Sequence, residues 1–310
     1  PPREVAARLV AEIDVADLCE PLEIAGPGFI NLRLRADVLA GAATQVLAEP
    51  GAGITPAAEP RTVVVDYSSP NVAKQMHVGH LRSTIIGDCF TRVLRAQGHR
   101  VIPQNHIGDW GRQFGMLVEQ ILEEGLDAAS LDLPAAEALY QRATAHLKES
   151  EEFAARARDR VVLLQSGDEE TRRIWQQLID VSLAGFNATY ARMNVLLGNA
   201  DLAGELIYNA DLPLVADDLA ERGIAVVDDG ALVVFTDGFP APAIIRNAQG
   251  GFGYTCTDLA AIRHRVGTLH ANRLIYVVGA PQAYHFEQVF TVAGRAGYLP
   301  SDVSAEFVGR

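Results

Sequence analysis

Apolar residues in the first fifty positions follow a pattern that predicts a small unit of helices and strands. Apolar positions three and four apart predict an amphipathic helix over Arg3–Ile13. Two short apolar runs around a Gly-Pro-Gly turn predict strands over Pro21–Ala25 and Phe29–Leu34. Asp37 is expected to cap a second helix that ends near Ala48. We therefore expect a small α+β domain at the N-terminal end of the chain.

A change of composition predicts a boundary after this unit. Residues 49–60 are rich in Pro, Gly and Ala, which is typical of a linker. We place the N-terminal domain at residues 1–53, the linker at 54–60 and a second domain at 61–310.

The second domain opens with a strand, a helix and a strand. Thr62–Asp66 is almost entirely valine, as in a strand buried on both faces of a parallel sheet. The following helical pattern runs to about Gln97 and stops at Gly98. Arg100–Asn105 then has the composition of the next strand. This order indicates an α/β nucleotide-binding fold.

The alternation of predicted strands and helices is interrupted once and then resumes. A long, charged, helical stretch at residues 134–200 is predicted as an insertion between two halves of the sheet. From Leu212 onwards we predict a helix to Gly223 and short strands over Ala231–Phe235 and Ile244–Arg246. The further predicted segments are 257–266 (helix), 274–279 (strand), 286–297 (helix) and 304–308. The predicted fold class is a Rossmann-like parallel sheet with a helical insertion, preceded by the small α+β domain.

Composition and charge exclude some classes of protein. The chain has 310 residues and a net charge of −13, which argues against nucleic-acid binding spread over the whole surface. A local basic patch stays possible at Arg33 and Arg35, or at Arg92, Arg95 and Arg100, although solvated surface charges explain these arginines more simply.

Cysteine usage and the absence of several common motifs narrow the chemistry further. Cys19, Cys89 and Cys256 are far apart, which argues against a disulfide framework or a zinc site and favours a reducing cytosol. No apolar run spans a membrane, the first residues do not resemble a secretory signal, and there is no Walker A, G-x-G-x-x-G or H-E-x-x-H pattern.

The most informative motif is the tetrad formed by His77, Val78, Gly79 and His80, between the valine-rich strand and the next helix. The two imidazoles lie about one turn apart, so both can point the same way. Gly79 has no Cβ, so a flat base or ribose can approach the backbone. A helix N-terminus presents free N–H groups to an anion. The tetrad therefore predicts a site for the phosphates of ATP, where negative charge grows in a transition state.

Three polar segments surround this motif in the predicted fold. Residues 66–71 end the first strand, at the edge where α/β sheets bind ligands. Residues 104–115 end the next strand in a loop rich in glycine and polar groups. Tyr254 and Asp258 lie four residues apart at a predicted helix start.

These segments resemble the catalytic domain of the class I aminoacyl-tRNA synthetases, and specifically the arginyl-tRNA synthetases. The matching stretches are VVVDYSSPNVAKQMHVGHLRSTIIGD, NHIGDWGRQFGML, LQSGDEETRRIW, GGFGYTCTDLAAIRHR and GAPQAYHF. Residues 1–47 resemble the later part of that family's N-terminal domain, which contacts tRNA. The chain is expected to be incomplete at both ends relative to the family.

The resemblance implies roles for individual residues. Arginine would be bound by Asp66, Ser69, Asn71, Tyr254, Asp258 and Gln282. ATP would be bound by His77, Gly79, His80, Lys74 and His285, with His77, His80 and Lys74 as the catalytic residues. Two carboxylates suit the planar donors of a guanidinium. Without the family, a strand-end turn for Asp66 and a helix N-terminal carboxylate for Asp258 would be the simpler explanations. The structural alternative for Lys74 is a surface lysine.

The implied reaction is attack of the arginine carboxylate on the α-phosphate of ATP, then transfer of arginine to the 3′ end of tRNA(Arg). Mg²⁺ is expected to arrive with ATP, and neither a tightly bound cofactor nor a resident metal site is expected. The resemblance further implies a cytoplasmic protein that acts as a monomer and has no membrane partner.

The chain departs from the family at several positions. The resemblance implies that Lys74 stands in for the lysine of the downstream K-M-S-K motif, which is missing in many members of the family. Leu206 stands where a serine is usual, Arg246-Asn247 replaces a usual Gln-Lys pair, and the loop at 237–242 is short. Two alternatives therefore stay open: a paralogue that binds arginine or tRNA without aminoacylation, and another H-x-G-H nucleotidyltransferase.

Overall fold

The computed structural model of the chain describes residues 1–49 and 51–309. Pro50, in the stretch predicted to contain the linker, and Arg310, at the predicted end of the second domain, lie outside the described residues. The chain divides into two compact units, Pro1–Ala58 and Glu59–Arg310. Each unit is described separately.

The first unit contains α1 (Pro2–Glu12), β1 (Glu23–Ala25), β2 (Phe29–Asn31) and α2 (Ala36–Ala48). The two strands pair antiparallel, with Ile24 opposite Ile30. The predicted hairpin is therefore present with shorter strands. Its turn needs Gly28, because φ is +145° and a Cβ there would lie 2.8 Å from the Pro2 carbonyl oxygen.

The start of α2 differs from the prediction. Asp37 does not cap the helix; it lies inside the first turn, and its carboxylate accepts hydrogen bonds from the Arg35 side chain at 2.8 and 3.0 Å. This ion pair also neutralises one of the two arginines of the first candidate basic patch. In the second candidate patch, Arg92 pairs with Asp88 at 2.7 Å.

Within its described residues, the second unit contains fifteen named helices and strands besides short 3₁₀ turns. In chain order they are β3 (Thr62–Tyr67), α3 (Val78–Ala96), β4 (Arg100–Gln104), α4 (Arg112–Glu124), α5 (Leu133–Glu149), α6 (Glu151–Ser166), α7 (Glu169–Met193), α8 (Leu212–Glu221), β5 (Val226–Asp228), β6 (Ala231–Val234), β7 (Ala243–Arg246), α9 (Tyr254–Gly267), β8 (Arg273–Val278), α10 (Ala283–Arg295) and, at the end, β9 (Ser304–Gly309), which extends the parallel sheet.

A four-stranded parallel sheet organises this unit. Its strand order is β4-β3-β8-β9, so the chain crosses from β3 to β4 on one side and from β8 to β9 on the other. Val63, Val64 and Val65 are at most 1% exposed, which confirms the predicted strand buried on both faces. The α/β fold class with a parallel sheet is confirmed.

Helices α5, α6 and α7 occupy most of the predicted insertion, and the three-stranded antiparallel sheet β5-β6-β7 follows them. Strand β5 was not predicted, because it is only three residues long and exposed along its length. Among the described residues, no helix combines the length and the apolar character needed to cross a membrane.

Because neighbouring crossovers leave β3 and β8 in opposite directions, their carboxyl ends meet where the strand order reverses. Ligands bind at this position in open α/β sheets. The chain leaves β3 into the H-x-G-H helix and leaves β8 into the segment that carries Gln282 and His285.

Candidate active site

A cleft with a cavity volume of about 560 Å³ opens at this edge of the sheet. Its walls come from the end of β3, the start of α3, the loop after β4, the start of α9 and the segment after β8. The cleft collects ten of the eleven predicted site residues: Asp66, Ser69, Asn71, His77, Gly79, His80, Tyr254, Asp258, Gln282 and His285.

The tetrad forms the N-terminus of α3 and fixes both histidines by backbone hydrogen bonds. Nδ1 of His77 accepts from the Gly79 N–H at 3.1 Å, and Nδ1 of His80 accepts from the His77 N–H at 3.2 Å. The two rings lie 3.9 Å apart between centroids. Since each Nδ1 accepts, a neutral ring must carry its proton on Nε2. The tetrad therefore offers two Nε2–H donors.

His80 is neutral at physiological pH. Burial is the largest cause that lowers its pKa to about 4, and the neighbouring His77 and Lys74 contribute in the same direction. Its role at an anion therefore rests on an oriented N–H and not on a full positive charge.

The loop between β3 and α3 has an unusual backbone. Ser68, Ser69 and Ala73 have φ values of +74°, +48° and +58°, in the left-handed region that non-glycine residues rarely adopt. Buried side-chain hydrogen bonds hold this shape. Ser68 Oγ lies 2.7 Å from the Tyr190 hydroxyl, and the Ser69 N–H donates to Asn105 Oδ1 at 3.1 Å.

Asp66 lies at the inner wall of the cleft and is only 5% exposed. Its Oδ2 lies 2.6 Å from Nη2 of Arg265, and its Oδ1 accepts from the Ser69 hydroxyl at 3.1 Å. The carboxylate thus already has an internal guanidinium as its partner. Each oxygen keeps a second lone pair, so a contact with a ligand stays open and the predicted role of Asp66 stays a prediction.

The start of α9 presents the other predicted guanidinium ligands. Tyr254 is the first residue of the helix and is 74% exposed, and Asp258 follows one turn later. Asp258 Oδ2 lies 2.6 Å from Nε2 of His285. Gln282 uses its Oε1 to accept from the Gly279 N–H at 3.1 Å, which leaves its amide nitrogen for a ligand.

Glu205 also lines the cleft, although its sequence context did not suggest a site residue. Among residues 1–49 and 51–309, its carboxylate has no hydrogen-bond or ion-pair partner. Burial raises its pKa to about 8, and the charges of Asp109 and Asp258 contribute in the same direction.

The turn that carries Glu205 is held against the loop after β4. The Leu206 N–H donates to Asp109 Oδ1 at 3.0 Å, and a Cβ at Gly204 would lie 2.1 Å from Asp109 Oδ2. Gly204 is therefore the residue that permits this approach. In the sequence, the glycine before Glu205 is the feature connected with this role, and by itself it did not suggest a site residue.

His106 is a second cleft residue that the prediction missed. Its ring stacks on Tyr208 with 5.8 Å between centroids, and its buried Nδ1 has no partner in the described part of the chain.

Lys74 is the predicted site residue that does not line the cleft. Its ammonium lies 4.1 Å from the centroid of the Tyr140 ring on α5. The next residue, Gln75, donates to Glu137 Oε2 at 2.7 Å. The loop before the tetrad is thus attached to the helical insertion, and the contact of Lys74 with phosphate stays a prediction. Within the described ranges, no group of three or more His, Cys, Asp or Glu residues could hold a metal ion.

Comparison with known proteins gives a consistent result over nearly the whole chain. Residues 42–309 match the family model described as tRNA synthetases class I (R), catalytic domain. Residues 1–34 match the model described as arginyl tRNA synthetase N terminal domain.

Two curated bacterial relatives carry the name arginine–tRNA ligase. The protein from Cutibacterium acnes is 62% identical over 309 residues, which cover 100% of this chain and 56% of the relative. The protein from Thermobifida fusca is 51% identical, over 96% of this chain and 53% of the relative. The chain spans about half the length of the curated relatives it matches.

Two solved structures are similar. The arginyl-tRNA synthetase of Plasmodium falciparum is 29% identical with a TM-score of 0.73, over 99% of this chain and 54% of that one. The arginyl-tRNA synthetase of Thermus thermophilus has a TM-score of 0.69 at 22% identity, a likeness that concerns the fold alone; it covers 100% of this chain and 57% of that one.

Proposed function

Because the chain belongs to the arginine-type class I aminoacyl-tRNA synthetases, whose catalytic-domain model matches residues 42–309, we propose that the full-length protein is an arginine–tRNA ligase. It activates L-arginine with ATP and transfers the arginyl group to the 3′ end of tRNA(Arg). One observation carries the proposal: a single cleft combines two oriented imidazole donors with carboxylates that suit a guanidinium.

The N-terminus of α3 is the phosphate side of the proposed site. The arginine carboxylate oxygen attacks the α-phosphorus of ATP, the bond to the bridging oxygen breaks, and pyrophosphate leaves. The Nε2–H groups of His77 and His80 donate to phosphate oxygens as negative charge grows there. Gly79 allows the nucleotide to approach the backbone, because its position has no side chain. His285, which lies after β8, would contact the ATP from the other wall.

The carboxylates of the cleft form the proposed arginine side. The guanidinium contacts Asp258, the Tyr254 hydroxyl and Asp66, as the sequence predicts. The position of Glu205 supports adding it to this set, because it is a mostly buried cleft carboxylate with no partner in the described residues. Ser69, Asn71 and Gln282 are proposed to hold the α-amino end.

Three further parts of the reaction are proposed from the family. Lys74 would leave the Tyr140 ring to place its charge near the phosphates, and Mg²⁺ would arrive as the ATP complex. The N-terminal unit would contact tRNA. The protein would act as a monomer, as the family implies, and a reducing cytoplasm fits the three free cysteines Cys19, Cys89 and Cys256.

The test is arginine-dependent exchange between ATP and pyrophosphate by the full-length protein in the presence of tRNA(Arg). We expect exchange with arginine and none with lysine, because lysine lacks the planar fork of donors. Binding of arginine or tRNA without exchange would favour a paralogue that no longer aminoacylates. Exchange without arginine would favour a different H-x-G-H nucleotidyltransferase.

The variant Asp258→Asn separates the two sides of the cleft. It should raise the KM for arginine far more than the KM for ATP, since it removes a charge that faces the guanidinium. Equal increases in both values would contradict the assignment of Asp258.

A further inference from the structure

Arg265 is a fully buried arginine beneath the cleft; it ends the GGFGYTCTDLAAIRHR stretch but is not among the predicted site residues. It lies on α9, seven residues after Asp258, and is 1% exposed. A charge at this depth is costly unless it is paired and hydrogen-bonded. We therefore expect neighbouring side chains to pair with the Arg265 guanidinium and to accept its hydrogen bonds.

Its guanidinium contacts the ends of three neighbouring strands. Nη2 lies 2.6 Å from Asp66 Oδ2 at the end of β3, and Nε donates to Gln104 Oε1 at 2.7 Å at the end of β4. The guanidinium carbon lies 5.0 Å from the ring centroid of Tyr276 on β8. Arg265 thus joins the helix that carries Tyr254 to the edge of the sheet where ligands bind.

The contact continues from Asp66 to the surface of the cleft. The other carboxylate oxygen accepts from the Ser69 hydroxyl at 3.1 Å. Ser69 has a left-handed φ of +48°, so its conformation needs support from neighbours. Asp66 and Ser69 both line the cavity, whereas Arg265 does not.

We propose that Arg265 is a positioning residue of the arginine site: its guanidinium holds Asp66 and, through it, Ser69. The guanidinium also supplies a positive charge that balances the negative charge of the Asp66 carboxylate. A substrate guanidinium therefore contacts an Asp66 carboxylate whose orientation and charge balance are already set. The other carboxylates of the cleft then determine where the substrate guanidinium binds. This inference rests on the proposed function, because the site that Arg265 organises is the proposed arginine site.

The test replaces Arg265 by alanine in the full-length protein and measures arginine-dependent pyrophosphate exchange. Loss of a charged, doubly hydrogen-bonded side chain should raise the KM for arginine by about tenfold or more. The KM for ATP should change by less than about threefold, because the tetrad does not contact Arg265.

Chemical rescue distinguishes positioning from general stability. Removal of the side chain leaves a space of guanidinium shape that adjoins the cleft at Asp66. Millimolar guanidinium chloride should restore the KM for arginine in Arg265→Ala, whereas sodium chloride and urea at equal concentration should not. The unchanged protein should gain nothing from guanidinium.

Two further variants complete the design. Arg265→Lys keeps the charge and loses the planar fork, so it should raise the KM for arginine without responding to guanidinium. Arg160→Ala removes a comparable pair, 3.0 Å between Arg160 Nη2 and Glu119 Oε2 in the helical insertion, and should change neither KM.

The outcomes separate this inference from the proposed function. Absence of arginine-dependent exchange in the unchanged protein would contradict the function itself. With an active parent, an unchanged KM for arginine in both Arg265 variants would overturn the positioning role. Equal increases in both KM values without rescue would also overturn it, since they would indicate a purely structural role. If Arg265→Ala does not fold, the split between the two KM values in Arg265→Lys decides.

Discussion

Arginine binding should release a proton from Glu205. This carboxyl group is mostly buried, lines the cleft and has its pKa raised to about 8 by burial and by the charges of Asp109 and Asp258. At neutral pH it is therefore mostly protonated. The guanidinium of arginine stays charged throughout this range and favours the ionised form of a carboxylate beside it. Binding and deprotonation are thus coupled.

The size of the coupling follows from the shifted pKa. With a pKa of about 8, about one Glu205 in ten is ionised at pH 7, so arginine should bind about tenfold more weakly there than to the fully ionised site. Each further unit of acidification should weaken binding about tenfold again, or about 1.4 kcal/mol. Close to one proton should leave for each arginine bound at pH 7.

Calorimetric titration of the full-length protein with arginine measures both quantities. Titrations between about pH 6 and pH 7.5, in two buffers with different ionisation enthalpies, give the affinity and the number of protons released. The matched variant is Glu205→Gln, which keeps Asp109, Asp258, His106 and His285. It should bind arginine with little dependence on pH and release almost no proton.

Two results would refute this reasoning. One is an affinity that changes by less than about threefold between pH 6 and pH 7 in the unchanged protein. The other is an undiminished pH dependence in Glu205→Gln, which would assign the titration to another group of the cleft.

Three further predictions concern stability and turnover. Folding raises the pKa of Glu205 from 4.5 to about 8, so the folded protein loses stability as the pH rises between these two values. Glu205→Gln should therefore raise the melting temperature more at pH 8 than at pH 5. Equal increases at both pH values would contradict the burial of this group. His80→Ala should lower the kcat of pyrophosphate exchange by about 100-fold or more through loss of one Nε2–H donor, and a loss below about fivefold would exclude that role. Gly87→Ala should lower the free energy of unfolding in a denaturant titration by about 1–3 kcal/mol, because its Cβ would lie 2.2 Å from the buried Tyr67 ring. As the control, Gly294→Ala should raise the free energy of unfolding by about 0.5–1 kcal/mol, because a Cβ there would meet no other atom within 4 Å.

Local patterns were sufficient for much of the fold. The valine run predicts β3 because burial on both faces demands apolar residues throughout. The helix that follows the tetrad ends at Ala96 with Gln97 as its C-cap, within one residue of the prediction, because Gly98 takes a φ of +85°. Helix α9 begins three residues earlier than predicted, at Tyr254, because the polar residues at its start gave no apolar periodicity. In each case the agreement between the predicted and the observed element depended on residues close by in the sequence.

The partners of the site residues depend on contacts that spacing does not encode. Arg265 reaches Asp66 across 199 positions, and Lys74 lies on a ring contributed by the helical insertion. Glu205 becomes a cleft residue because Gly204 lets the Asp109 carboxylate approach the turn. Such pairings arise only when the elements pack. The sequence therefore predicted which residues meet in the cleft and missed how their charges are balanced.

The balance of charge in the cleft bears on how one site can bind a cation and a polyphosphate together. Asp66 is paired with Arg265 and Asp258 is hydrogen-bonded to His285. Asp109, next to the cleft, accepts a backbone N–H, which leaves Glu205 as the carboxylate without a partner in the described residues. Four uncompensated carboxylates would repel the phosphates of ATP.

This arrangement leaves Glu205 as the carboxyl group whose charge a substrate guanidinium can balance, beside the already partnered Asp66 and Asp258. On the phosphate side, His80 carries no positive charge, since its pKa is lowered to about 4 and its ring is neutral. At neutral pH a bound arginine cation only cancels the charge that it induces on Glu205, so the repulsion that ATP meets does not change. Above about pH 8 Glu205 is ionised before arginine binds, and the cation then lowers that repulsion. Arginine and ATP should therefore strengthen each other's binding chiefly above about pH 8, and by thermodynamic reciprocity each must do so by the same factor.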